Sequence, residues 1–137
     1  MTGILIVTHS TLGEALIESA EFILDSTIEN IVSVSIDIKE PADSLIKKIK
    51  NGIKKVKKNE GVIIFTDMFG GTPSNLSYSF LEEGAIEVIS GVNLPILLKA
   101  LAIREKQDLS TAAANLVEHG KKSISLASGI LKGSKRA

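Results

Sequence analysis

The chain has 137 residues, 44% of them hydrophobic, sixteen basic and sixteen acidic side chains that cancel, and no cysteine. That composition suits one globular α/β domain with a real core. It excludes disulfides, thiolate metal sites and cysteine nucleophiles, and offers nothing global to attract nucleic acid or a membrane surface. No apolar run approaches the ~18 residues of a membrane span, and the start, Met1 to Thr8, enters a strand-like run without a basic leader. No signal peptide is therefore expected, and a cytoplasmic location is.

Residues 3–8, Gly-Ile-Leu-Ile-Val-Thr, read as a first strand buried on both faces, because they do not alternate. Thr8-His9-Ser10 ends it. Thr11-Leu-Gly-Glu14 then matches a capping box at the head of a helix running to about Asp25. Residues 30–37 alternate and so read as a second strand nearer a sheet edge, with Asp37 as a turn residue. Pro41 marks the next helix start, with Leu45, Ile46, Ile49, Ile53 and Val56 as its buried stripe. Seven lysines between Lys47 and Lys58 line the other face of that helix; they read as a solvated surface, and no interleaved aromatic turns them into a nucleic-acid patch.

The third strand, 62–66, leads into Asp67-Met-Phe-Gly-Gly-Thr-Pro-Ser-Asn75. Thr72 is expected to be the N-cap and Pro73 the first helical residue of a helix over 73–83, closed by Gly84. Residues 86–90 form a fourth strand, Pro95 opens a helix with Ile96 to Ile103 as its body, and another helix spans about 110–119. His119 near its end reads as a dipole-favoured surface residue. Lys121 to Ser128 reads as a short last strand, and residues 129–137 as a fraying basic tail after a domain of residues 1–128.

Strands alternating with helices predict an α/β fold with right-handed crossovers. With four strands the expected arrangement is a flavodoxin-like doubly wound parallel sheet of order 2-1-3-4, with helices on both faces. Ligands of such sheets bind beyond the carboxyl ends of the strands, where the winding reverses. That point lies between strands 1 and 3, where His9 and Asp67 end neighbouring strands ~5 Å apart. Asn93, at the end of strand 4, lies on the same rim. A carboxylate accepting one imidazole N–H fixes the tautomer and leaves the other nitrogen as a nucleophile. The Gly71 and Thr72 amides, the Thr72 hydroxyl and the helix dipole behind Pro73 could hold a phosphoryl group there. The chain has no GxGxxG after strand 1, no Walker lysine and no GxSxG elbow, and two histidines so far apart in the sequence, with no cysteine, make a poor transition-metal site.

At these residues the chain resembles the mannose-family EIIA domains of the bacterial phosphoenolpyruvate:sugar phosphotransferase system. The match rests on Thr8-His9-Ser10, on Asp67 to Asn75, and on Gly91-Val-Asn-Leu-Pro95, in the same order and spacing, and covers residues from about 2 to 128. The resemblance implies that His9 is phosphorylated by phospho-HPr and passes the phosphate to an EIIB partner for sugar uptake. It implies that Asp67 orients His9, that Gly71, Thr72 and Ser10 bind the phosphate, and that Phe69 and Asn93 form the partner-facing rim. It further implies a homodimer in which the strand at Lys121–Ser128 crosses to the other subunit. No metal or cofactor is implied, no nucleic acid, and membrane contact only indirectly through a permease complex. The EIIB would be a separate polypeptide. The alternative is a stand-alone regulatory EIIA whose phosphorylation state a binding partner reads without sugar transport. The dihydroxyacetone kinase phosphocarrier subunit is another relative to weigh, but the Gly70-Gly71-Thr72-Pro73 block favours the mannose type.

Overall fold

A computed structural model describes residues 1–58 and 60–136. Four strands, β1 (Gly3–His9), β2 (Ile31–Ile36), β3 (Val62–Thr66) and β4 (Ile86–Ser90), form one all-parallel sheet of order β2-β1-β3-β4. Helices α1 (Leu12–Leu24), α2 (Ala42–Val56), α3 (Thr72–Tyr78), α4 (Leu94–Ile103) and α5 (Leu109–Lys122) cover its two faces. The sheet is doubly wound and flavodoxin-like, as the sequence pattern predicts.

Strand alternation divides the core in two. Ile4 and Ile6 of β1, Ile63 and Phe65 of β3 and Ile89 of β4 pack with Leu97, Ala100 and Leu116 from α4 and α5. Leu5 and Val7, then Val62 and Ile64, face the other way onto Leu45, Ile49, Ile53 and Val56 of α2. The central strands are buried on both faces, which explains their unbroken apolar runs. Edge strand β2 buries only Val34 and Ile36, which explains its alternation.

Four local expectations are corrected. Thr11 stands at the N-cap of α1 without a side-chain capping bond; instead the Gly13 N–H donates to Thr8 Oγ1 at 3.0 Å, so the end of β1 caps the helix across the turn. Gly71, not Thr72, is the N-cap of α3. That helix ends at Tyr78 rather than near residue 83. The Ser77 and Ser79 hydroxyls donate to the carbonyls of Pro73 and Leu76, and the amides of Ser79, Phe80 and Leu81 bond three residues back, tightening and ending the turn.

The last correction concerns the C-terminal segment. Residues 121–128 form no strand: Lys121 and Lys122 finish α5, and Ala127 begins α6 (Ala127–Arg136), where a fraying tail is expected. A strand needs a neighbour to bond, and none of the chain's own four strands pairs with this segment. The residues that follow turn into α6 in spite of two glycines and two serines. Ala137 lies outside the described residues.

Candidate functional site

The sheet register sets the site. Val7 pairs with Thr66, and Thr66 with Ser90. His9 therefore lies two residues beyond the last β1–β3 pair and Asp67 one beyond it, at the reversal point of the winding. The two meet closely. Asp67 Oδ2 accepts the His9 backbone N–H at 2.9 Å and lies 2.7 Å from His9 Nδ1, while Oδ1 accepts the Met68 N–H at 3.0 Å. An aspartate can only accept when ionised, so Nδ1 is assigned the proton and the ring is held by its δ side. The Asp67 side chain is 11% exposed and that of His9 39%, so the acid is sheltered and the ring reaches solvent. Partial burial pushes the Asp67 carboxyl up. The His9 backbone and ring N–H groups, the ring's charge when protonated and the Met68 N–H together outweigh this and hold it below its usual range.

The other side of the ring faces the glycine turn. A Cβ on Gly71 would lie 2.9 Å from His9 Cε1 and 3.6 Å from Nε2. Glycine is needed there for close approach, since its φ of −90° suits any residue. Gly70 is different: at φ +85° it turns the chain through the left-handed region. Ser10 also takes a left-handed φ, 50°, immediately after His9; its N–H donates to the Ile36 carbonyl and its side chain is exposed.

The structure thus brings His9, Asp67 and Gly71 together, with Ser10 and Thr72 adjacent in the chain. Thr72, freed from the capping role, is partly exposed at the first position of α3. That helix has only seven residues, so its dipole is a lesser source of anion affinity than expected. Phe69 is 79% exposed and leans on Tyr78, with ring centroids 6.4 Å apart. Asn93 primarily serves the fold: its Oδ1 caps α4 by accepting the Ile96 N–H at 2.8 Å, leaving its NH₂ for the rim. Sequence reasoning missed Thr8, Thr66, Ser74, Ser90 and Tyr78, whose hydroxyls lie under the site. For Thr8, Thr66 and Ser90 the signal was a polar residue at the end of a strand; Ser74 and Tyr78, on α3, carry no such signal.

A histidine held by a carboxylate at the switch point, with its far ring nitrogen open toward a glycine turn, defines an α/β protein suited to carrying a group on imidazole. The comparisons name the group of proteins. The chain matches the EIIA-man family, described as the PTS (phosphotransferase system) fructose IIA component, over residues 3–117, and it belongs to that family. It is 32% identical to the fructose-specific EIIA component of Bacillus subtilis over 100% of this chain and 94% of that protein. It is also 32% identical to the mannose-specific EIIAB component of Escherichia coli, over 89% of this chain but 38% of that longer protein. Among solved structures, phosphotransferase system component EIIA from Streptococcus agalactiae superposes with a TM-score of 0.82 at 22% identity, covering 94% of this chain and 99% of that one. The IIA protein associated with the fucose utilization operon of Streptococcus pneumoniae gives 0.83 at 22%, covering 95% and 96%. The chain is an EIIA component of a sugar phosphotransferase system.

Proposed function

We propose that His9 is a reversible phosphate carrier, taking a phosphoryl group from phospho-HPr and delivering it to an EIIB protein. The observation that carries this reading is the 2.7 Å contact between His9 Nδ1 and Asp67, which leaves Nε2 as the free nucleophile. In transfer, the Nε2 lone pair forms a bond to phosphorus as the donor's N–P bond breaks and its electrons return to the donor ring. The His9 ring becomes cationic, its Nδ1–H stays on Asp67, and the carboxylate stabilises that charge. No proton has to leave. The Gly71 amide, the Thr72 hydroxyl and Ser10, close to His9 in the turn or in the chain, would supply donors for the phosphoryl oxygens. Both arginines of the chain lie outside this motif, and neutral donors suit a group that is to be passed on. Exposed Phe69, Met68 and Leu12, with the Asn93 amide, supply a rim for the two partner proteins.

A homodimer also belongs to this reading. Ile124 and Leu126 alternate with serines and are 80% and 76% exposed; among the described residues β4 pairs along its length with β3 and bridges Glu82 at Ile86, so its outer edge is open beyond Ile86. A second copy offering residues 121–128 to that edge would cover both. Among the described residues no helix is long and apolar enough to cross a membrane, in keeping with a cytoplasmic carrier that reaches the membrane through a permease complex. The test is transfer in a purified mixture of phosphoenolpyruvate, enzyme I, HPr and this protein. Acid-labile label on wild type but not on His9→Ala is the expected result; label on both, or on neither with active donors, overturns the assignment.

A further inference from the structure

Beneath the Asp67 turn lies a connected group of hydroxyls that the transfer chemistry does not use. Thr66 and Ser74 are fully buried. Ser74 Oγ lies 2.5 Å from Thr66 Oγ1, 3.2 Å from Ser90 Oγ, and donates to the Met68 carbonyl at 2.5 Å. Thr66 Oγ1 is also 3.1 Å from Ser90 Oγ, and Tyr78 OH is 3.0 Å from it. One proton per hydroxyl satisfies the set. Tyr78 donates to Ser90, Ser90 donates to Ser74, Thr66 shares its proton between Ser74 and Ser90, and Ser74 donates to Met68. The donation runs one way, ending on the backbone of the loop that carries Asp67.

We propose that this cluster, with Ser74 at its centre, is a positioning device for the His9–Asp67 pair. Its members span three elements: Thr66 ends β3, Ser90 ends β4, and Ser74 and Tyr78 sit on α3. Residues 68–74, between the two ends of the Ser74–Met68 bond, contain the Gly70-Gly71 pair, the most freely rotating stretch of the loop. The Met68 backbone is held at both ends, its N–H by Asp67 Oδ1 and its carbonyl by Ser74. A turn of the Asp67–Met68 peptide would take the Met68 N–H from Asp67 Oδ1 and free the carboxylate to swing from His9 Nδ1. A well-packed aliphatic cluster would fill the same space without any need to pair four hydroxyls, so the polar choice acts where direction counts: on one carbonyl, one residue from the orienting acid.

The test reads the ring rather than the fold. Two-bond ¹H–¹⁵N spectra of the ¹⁵N-histidine-labelled protein, recorded with the ring neutral, report the tautomer of His9 directly. The wild type is expected to hold one tautomer, Nδ1–H. Ser74→Ala and the near-isosteric Thr66→Val are expected to show a mixture, whereas Thr66→Ser, which keeps the hydroxyl, retains the wild-type spectrum. If Ser74→Ala does not fold, Thr66→Val against Thr66→Ser still decides. An unchanged tautomer in the folded hydroxyl-deleting variants, or equal change in Thr66→Ser and Thr66→Val, overturns the proposal. A second arm rests on the phosphocarrier reading: Ser74→Ala should slow His9 phosphorylation about five- to tenfold, the scale of one orienting hydrogen bond. The two failures are separable, because an unlabelled wild type sinks the carrier reading while the tautomer result stands by itself.

Discussion

The two ends of the parallel sheet use polar groups in opposite ways. At the amino end, a cavity of about 500 Å³ is bounded by Thr2, Gly61, Ala85 and Arg104. Its lining mixes Lys57, Lys58, Arg104 and Lys106 with Glu60, Glu105 and Asp108, so neither sign of charge dominates it. Arg104 is 7% exposed, and its guanidinium donates to the carbonyls of Glu29 at 2.6 Å and Asn30 at 3.2 Å, joining α4 to the loop before β2. At the carboxyl end, His9 is secured on one nitrogen only and its other nitrogen is open. The lesson is that volume does not mark the site. Hydrogen-bonding capacity that the fold positions but does not consume does so.

The sharpest way to break this contrast is His9→Ala, expected to abolish phosphate acceptance while the thermal midpoint stays near wild type, since the ring is part-exposed. Next comes Asp67→Asn. An amide keeps the shape but loses the charged acceptor, a difference of about 1–1.5 kcal/mol, so phosphorylation should slow by roughly 5- to 10-fold; transfer at the wild-type rate would remove the orienting role. Gly71→Ala places a methyl 2.9 Å from His9 Cε1. Its expected result is a several-fold slower transfer with little change in stability, read by paired kinetics and melting. At the other end, Arg104→Ala should lower stability by about 1–3 kcal/mol, because two backbone carbonyls lose their donor, yet leave His9 phosphorylation untouched. A loss of transfer in that variant would show the two ends to be coupled.

The smallest effect expected is on pH. The Asp67 carboxyl is held below its ordinary value of 3.8 in the fold. Its contribution to stability is therefore present above that value and is lost as pH falls through the lower, folded-state pKa. Melting curves on the acid side should show a slightly shallower decline in Asp67→Asn than in wild type, and equal slopes would deny the depression.

Much of this arrangement is legible in the residues. Non-alternating runs such as Ile4 to Val7 mark central strands because both faces are covered, and the strand ends then place His9 and Asp67 side by side. Local signals are less secure where tertiary partners compete. Thr11 and Glu14 have the spacing of a capping box, but Thr8 Oγ1 is better placed for the Gly13 amide. Thr72-Pro73 looks like a cap followed by a first helical residue, yet the Gly71 carbonyl accepts the Asn75 N–H at 2.9 Å, so the helix starts one residue earlier. The Ile124–Leu126 alternation has no strand to bond within the chain, so its expected strand is absent. The hydroxyl cluster escapes a linear reading because Thr66, Ser74 and Ser90 are brought together only by register and by the course of α3.

The carrier chemistry turns on a single atom, His9 Nε2. Phosphorylated protein, prepared with active donors and examined by ³¹P and ¹⁵N NMR under alkaline denaturing conditions that preserve phosphohistidine, distinguishes phosphate on Nε2 from phosphate on Nδ1. Because Asp67 occupies Nδ1, the label is predicted on His9 Nε2 alone. Phosphate on Nδ1, or on any other residue, would contradict the geometry from which the function has been argued.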